Sequence, residues 1–199
     1  ASKKVPVNYC VGIDDFRRLC PLVEGTGSLL VNGGYIYDTS ILQKLPKFYK
    51  NVRIEVFDNS SYDNLLADPP EDVARELEFF RRYAEQGLET FRCGVTFKRF
   101  SPASLQALFV QMEDTLFEES MDDASFSRFF EGFDFGEEED EKDRNMLYLN
   151  SENSFVQSLG QVRDEVFARN IIQVIYIQAL LAGHYTLGGV EMEIMNKSL

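Results

Sequence analysis

Residues 171–181 read IIQVIYIQALL, an apolar run broken only by Gln173 and Gln178. A helix apolar around most of its girth has to be covered on more than one side. Ile171, Val174, Ile175 and Gln178 repeat at i, i+3, i+4 and i+7 and make one face, and Ile172, Tyr176, Ala179 and Leu180 make another. Leu187-Gly188-Gly189 then turns the chain into a short closing helix, VEMEIMNKSL, with apolar Val190, Met192, Ile194, Met195 and Leu199. Such a pair predicts association with a second copy through Ile171, Ile172, Val174, Ile175, Gln178, Ala179, Leu181, Ile194, Met195 and Leu199. The alternative is an ordinary buried helix of a one-copy domain.

Outside this block the chain sets bounds on what the helix pair can belong to. Its 199 residues, 44% of them apolar, suffice for one large domain or two small ones with real cores. No apolar run is long enough to promise a bilayer span, and ASKKVPVNYC lacks the apolar stretch of a secretory signal. Starting at Ala1 without methionine, the sequence is expected to be a piece of something longer. Cys10, Cys20 and Cys93 are an odd number without C-x-x-C pairing, so reduced thiols and a cytoplasmic location are expected. One histidine and no paired cysteines argue against zinc. A net charge of −13 argues against nucleic acid and anionic membrane as partners.

The first part alternates strand and helix. Residues 5–10 suit a strand; Ile13-Asp14-Asp15 opens a helix with acids at its positive end, and Phe16, Leu19, Cys20 and Val23 share a face. SLLVNGGYIYD resumes an extended pattern. Thr39 and Ser40 are candidate caps for a helix ILQKLPKFY that Pro46 should distort or end, and VRIEVFD closes the unit as a strand. The β-α-β-α-β order calls for a small parallel, three-layer unit with right-handed crossovers. Asn32-Gly33-Gly34 matches neither a G-x-G-x-x-G nor a Walker loop and reads as a bulge or close backbone approach.

Asn59-Ser60-Ser61 and Pro69-Pro70 mark a polar, turn-rich boundary, giving units 1–68 and 69–199 in an α+β fold. DVARELEFFRRYAEQG follows as a helix with Val73, Leu77, Phe80 and Ala84 on one stripe. TFRCGVTFKRF alternates Phe91, Cys93, Val95 and Phe97 against Arg92, Thr96 and Lys98 as a half-buried strand. Ser101-Pro102 turns it, and SLQALFVQM is expected to return as its hairpin partner. Beyond lies LFEESMDDASFSRFFEGFDF, aromatics among acids, then the run Glu137-Glu138-Glu139-Asp140-Glu141, which reads as a solvated loop.

Catalytic chemistry finds no support. His184 follows Gly183 at the end of the long helix and suits a C-terminal cap better than a general base. Asp14-Asp15 and Asp122-Asp123 are adjacent pairs that point apart on a helix, poor geometry for acid and base work. No catalytic, cofactor-binding or metal-ligating residue is therefore assigned.

The order LNSENSFVQSL, RDEVFARNIIQVIYIQALLAG, a small turn and EIMNKSL is similar to the last helices of the ninety-kilodalton heat-shock chaperones, the bacterial HtpG type included. The matching pieces are the Asn-rich cap and short helix at 150–159, Gln178-Ala179-Leu180-Leu181, and residues 196–199. The βαβαβ unit with Tyr35-Ile36-Tyr37-Asp38 resembles the small α/β subdomain that ends the middle region of that family. The resemblance implies a homodimer with a four-helix contact and a cleft that holds unfolded or partly folded client proteins. By the same resemblance Phe117, Met121, Phe126, Phe129, Phe130 and Phe133 are candidate client contacts. This segment is longer and more acidic than the family's. ATP and magnesium would belong to other domains of the parent protein. A small-molecule or nucleotide-binding α/β protein, or a purely structural dimerising adaptor, are the other readings.

Overall fold

The computed structural model describes residues 7–24, 26, 28–49, 53–57, 65–111 and 145–198. Strands and helices mix as an α+β fold. The first unit runs β1 (Val7–Cys10), α1 (Ile13–Glu24), β2 (Leu29–Asn32), α2 (Asp38–Phe48) and β3 (Ile54–Val56). Its three strands are parallel in the order β2-β1-β3. The chain steps one way along the sheet to β2 and the other way to β3, so right-handed crossovers set α1 and α2 on opposite faces.

Three local expectations are adjusted here. The extended pattern stops at Asn32, and Tyr35-Ile36-Tyr37 form the turn into α2 instead. Thr39 does not cap that helix: its hydroxyl donates to the Gly33 carbonyl at 2.8 Å and ties the helix start to the end of β2. Pro46 does not stop α2 at once: the helix continues two residues beyond it to Phe48, with the Tyr49 amide bonded to the Leu45 carbonyl at 2.9 Å. A proline this close to the last turn forfeits only one helical hydrogen bond.

The second unit begins with α3 (Glu71–Leu88), then a 3-10 turn (Glu89–Phe91), β4 (Cys93–Lys98), β5 (Ala107–Val110) and β6 (Asn145–Asn150). The helices α4 (Ser154–Ser158), α5 (Glu165–Ala182) and α6 (Gly189–Ser198) complete it. The expected hairpin of β4 with β5 does not form. Between them lies β6, parallel to β4 and antiparallel to β5. The cause is legible at Asn150, which is fully buried at the end of β6. Its side-chain amide donates to the carbonyls of Phe100 (2.8 Å), Pro102 (3.2 Å) and Leu105 (3.0 Å). Segment 99–106 is thereby arched across the end of β6, one strand wider than a hairpin turn. Asn153 holds the same arch through Ala103 and caps α4 by accepting from the Phe155 and Val156 amides, as the Asn-rich stretch predicts.

The sheet β4-β6-β5 is buried on both sides. On one, Cys93, Val95, Phe97, Ala107, Phe109, Leu147 and Leu149 meet α3 and α5. Helices α3 and α5 come close at Gly87, where a Cβ would lie 2.8 Å from a methyl of Ile172 and 2.9 Å from the Arg169 carbonyl. On the other side, Phe100, Leu108 and Val110 join Cys10, Leu19, Leu22, Val23 and Phe57 in a second cluster. The two units thus share a core across the turn-rich connection near residue 68. A bridge between Ala67 and Arg99, and a 2.7 Å contact from Lys98 to Asp68, fasten that connection to β4. Arg18 of α1 also donates to the Tyr185 hydroxyl and the Asp15 carboxylate.

Candidate association surface

Helix α5 starts at Asp164, whose carboxylate accepts from the Phe167 amide at 2.9 Å. It ends at Gly183 and His184. His184 takes a left-handed backbone (φ 59°), and the Tyr185 amide returns to the Leu180 carbonyl at 2.9 Å. His184 therefore sits at the C-terminal end, as its position in the sequence suggested, and shapes the turn toward α6. Tyr185 follows it, its ring edge-on to Phe109 at 4.8 Å.

The two faces of α5 have different fates. Ala168, Ile172, Ile175, Tyr176, Ile177, Ala179 and Leu180 enter the core. Of the residues predicted at an interface between copies, Ile172, Ile175 and Ala179 are thus spent inside one protomer. Ile171 and Val174 are half-buried, while Gln178 and Leu181 are exposed. In α6, Ile194 and Met195 are half-buried against the core. Leu199 lies outside the described residues, as do the candidate client contacts Phe117, Met121, Phe126, Phe129, Phe130 and Phe133.

Phe167, Ile171 and Val174 of α5, with Ile194 of α6, line a groove of about 570 Å³ whose rim carries Asn170, Gln173 and Lys197. Phe167 and Leu181 remain 51% and 50% exposed, and Val166 of α5 and Val190 and Met192 of α6 are exposed as well. Phe167 and Val166 escaped the sequence reading because they precede the strongest part of the apolar run. For Phe167, its place on the stripe of 167, 171, 174 and 178 was the available signal. Gln178 also borders a smaller cavity of about 210 Å³ between α5 and residues 104–107. Nothing charged lines that cavity.

Reactive chemistry is sparse. Among the described residues no group of three or more His, Cys, Asp or Glu side chains gathers as a metal would require. Asp14 pairs with Arg17 at 3.2 Å and Asp15 with Arg18. Burial, with Asp15 adding to it, pushes the Cys10 thiol up to about 12, which keeps it protonated and a poor nucleophile. The Gly33 amide donates to the Cys10 carbonyl and the Gly34 amide to the Asn32 side chain, at 2.8 and 2.9 Å. Both amides are spent inside the fold, the close backbone approach read from the sequence, and neither faces outward as a phosphate cradle needs.

By length and composition alone, α5 could cross a bilayer, but the face that carries Ile172 and Ile175 is packed in the core. No family model matches the chain, and no curated protein matches it.

Proposed function

We propose that the chain joins two copies of a chaperone of the ninety-kilodalton heat-shock type through α5 and α6. It would act in the cytoplasm, without chemistry of its own. The observation that carries the first part is the exposed apolar stripe beside the α5/α6 groove. It is more than the protomer's core requires, and a self-complementary patch of helices suits a two-fold contact. Each copy would offer α5 and α6, giving four helices at the contact.

The chaperone part rests on the resemblance of the terminal helices. In that reading the phenylalanines between residues 117 and 133 touch unfolded clients, and ATP with magnesium acts in other domains of the parent. Sedimentation equilibrium of the chain and of a Phe167→Asp/Leu181→Asp variant tests the contact. A dimer that becomes a monomer with unchanged circular dichroism is expected. A monomer in both, or a variant dimer of unchanged affinity, would overturn it. Suppression of the aggregation of a thermally unfolding test protein, lost on deleting residues 113–143, would support the client role.

A further inference from the structure

Phe167, Ile171, Val174, Gln178 and Leu181 follow one another along α5 at alternating steps of four and three residues. That spacing keeps a stripe facing a second helix that crosses at a shallow angle of about 20°. Each end of the stripe carries both a projecting apolar side chain and a cavity. At the N-terminal end half-exposed Phe167 stands at the α5/α6 groove. At the C-terminal end half-exposed Leu181 precedes Ala182, which with Gln178 borders the cavity of about 210 Å³ against residues 104–107. The apolar part of its lining is Leu105, Ala107, Ile175, Ala179 and Ala182. A ring fits there, since an apolar cavity of about 150 Å³ takes up benzene.

Val174 is the midpoint, seven residues from Phe167 and seven from Leu181, which is roughly 10 Å of helix either way. A two-fold axis through Val174 makes the two α5 helices antiparallel. Phe167 of one copy then stands over the smaller cavity of the other, and Leu181 over the other's α5/α6 groove. The match is reciprocal, as a two-fold contact demands. Charge points to the same occupant. A patch that meets its own copy sets like charge against like, so it has to be close to neutral, whereas a different partner imposes no such condition. Of the side chains on the stripe and around the two cavities, Lys197 alone is charged, and it is paired with Glu193 at 2.6 Å. In a chain with 33 acidic residues, this is a place where two copies can touch without carboxylates meeting.

We propose that two copies associate antiparallel about Val174, and that Phe167 of each fills the cavity between α5 and residues 104–107 of the other. The contact thus reaches beyond the helices to the arch that Asn150 holds. This inference rests on the association proposed above and adds to it a register and the residues that close it.

Sedimentation equilibrium of the whole chain as wild type, Phe167→Ala, Ala182→Phe and the double variant tests the register. Phe167→Ala should raise the dimer Kd about tenfold, as truncating a buried aromatic anchor does. Ala182→Phe occupies the space meant for the partner's ring and should raise it at least as much. In the double variant the ring at 182 takes the place that residue 167 has vacated. Its Kd should therefore fall about tenfold or more below the product of the two single effects. Val174→Cys should cross-link to its own copy under mild oxidation, because the copies meet at that residue, and wild type should not. Circular dichroism checks that each variant is folded. If the wild type dimerises but the two substitutions are additive, or Val174→Cys stays uncross-linked, the register is overturned and the association stands. A wild type that stays monomeric throughout the concentration series would overturn both.

Discussion

Helices α3 and α5 are both 18 residues long and lie side by side over the same sheet, yet their outer faces differ in kind. On α3, Leu77, Phe80, Ala84 and Leu88 turn inward, and the outer face carries Arg81 bonded to Glu78 at 2.8 Å and Glu85 at 2.6 Å. On α5 the inner face is equally apolar, but the outer one carries Val166, Phe167 and Leu181. One apolar face is enough to hold a helix on a sheet, as α3 demonstrates. The second apolar face of α5 needs another explanation, and association supplies one. Packing inside the protomer can therefore be separated, residue by residue along a single helix, from the association proposed outside it.

The most damaging way to break the comparison is Ile172→Asp. Ile172 is fully buried and touches α3 at Gly87, so the substitution leaves a carboxylate without a partner between two helices. A loss of about 4 kcal/mol or more is expected, enough to unfold many domains of this size. Urea denaturation followed by circular dichroism reads it. A variant with a near-native midpoint would mean that α5 does not sit on α3 as described.

Asn150→Ala comes next and probes the sheet beneath both helices. The substitution strips hydrogen bonds from three carbonyls in the arch 99–106 and from the Phe100 amide. A cost of about 2–3 kcal/mol is expected in the same titration, because buried backbone groups lose their partners. Unchanged stability would argue that the arch is held elsewhere.

Arg81→Ala sharpens the contrast from the polar side. Its pairs with Glu78 and Glu85 are partly exposed and screened, so about 0.5 kcal/mol is expected at neutral pH. The hydrogen bond from Arg81 holds the Glu78 carboxyl below its ordinary 4.5. A folded value below the unfolded one stabilises above the unfolded pKa, and that gain is lost as pH falls through the folded one. The difference between wild type and variant should therefore shrink below about pH 4.5, measured as thermal midpoints across pH. A difference that grew on acidification would reverse the sign and remove Glu78 from the account.

Period and punctuation made the first unit readable: a three-strand parallel sheet followed from the alternation of short apolar runs with amphipathic helices. In α5 the apolar excess was equally plain. Its division between core and surface was not, because an unbroken run gives no polar residue from which to orient the helix. Ile172, Ile175 and Ala179 consequently stood with Leu181 in one predicted interface, although the fold buries the first three. The strand order of the second sheet was hidden for another reason. In NMLYLN the pairing of β6 with β4 joins residues some fifty positions apart, and the device that imposes it is an asparagine side chain. Local pattern carries no record of such a contact.

The smallest effect on protomer stability is the most informative. Leu181→Asp places the same charge on the same helix as Ile172→Asp, nine residues further along, at a side chain already half in water. In dilute solution its unfolding midpoint should match wild type, to within about 0.5 kcal/mol. The difference should emerge with concentration. Association stabilises the folded state by mass action, so the wild-type melting temperature should climb as protein is added. That of Leu181→Asp should stay flat if its outer face is where two copies meet. Parallel rises for both would leave the stripe apolar for some other purpose, and would separate the packing of α5, which survives, from the association proposed for it, which would not.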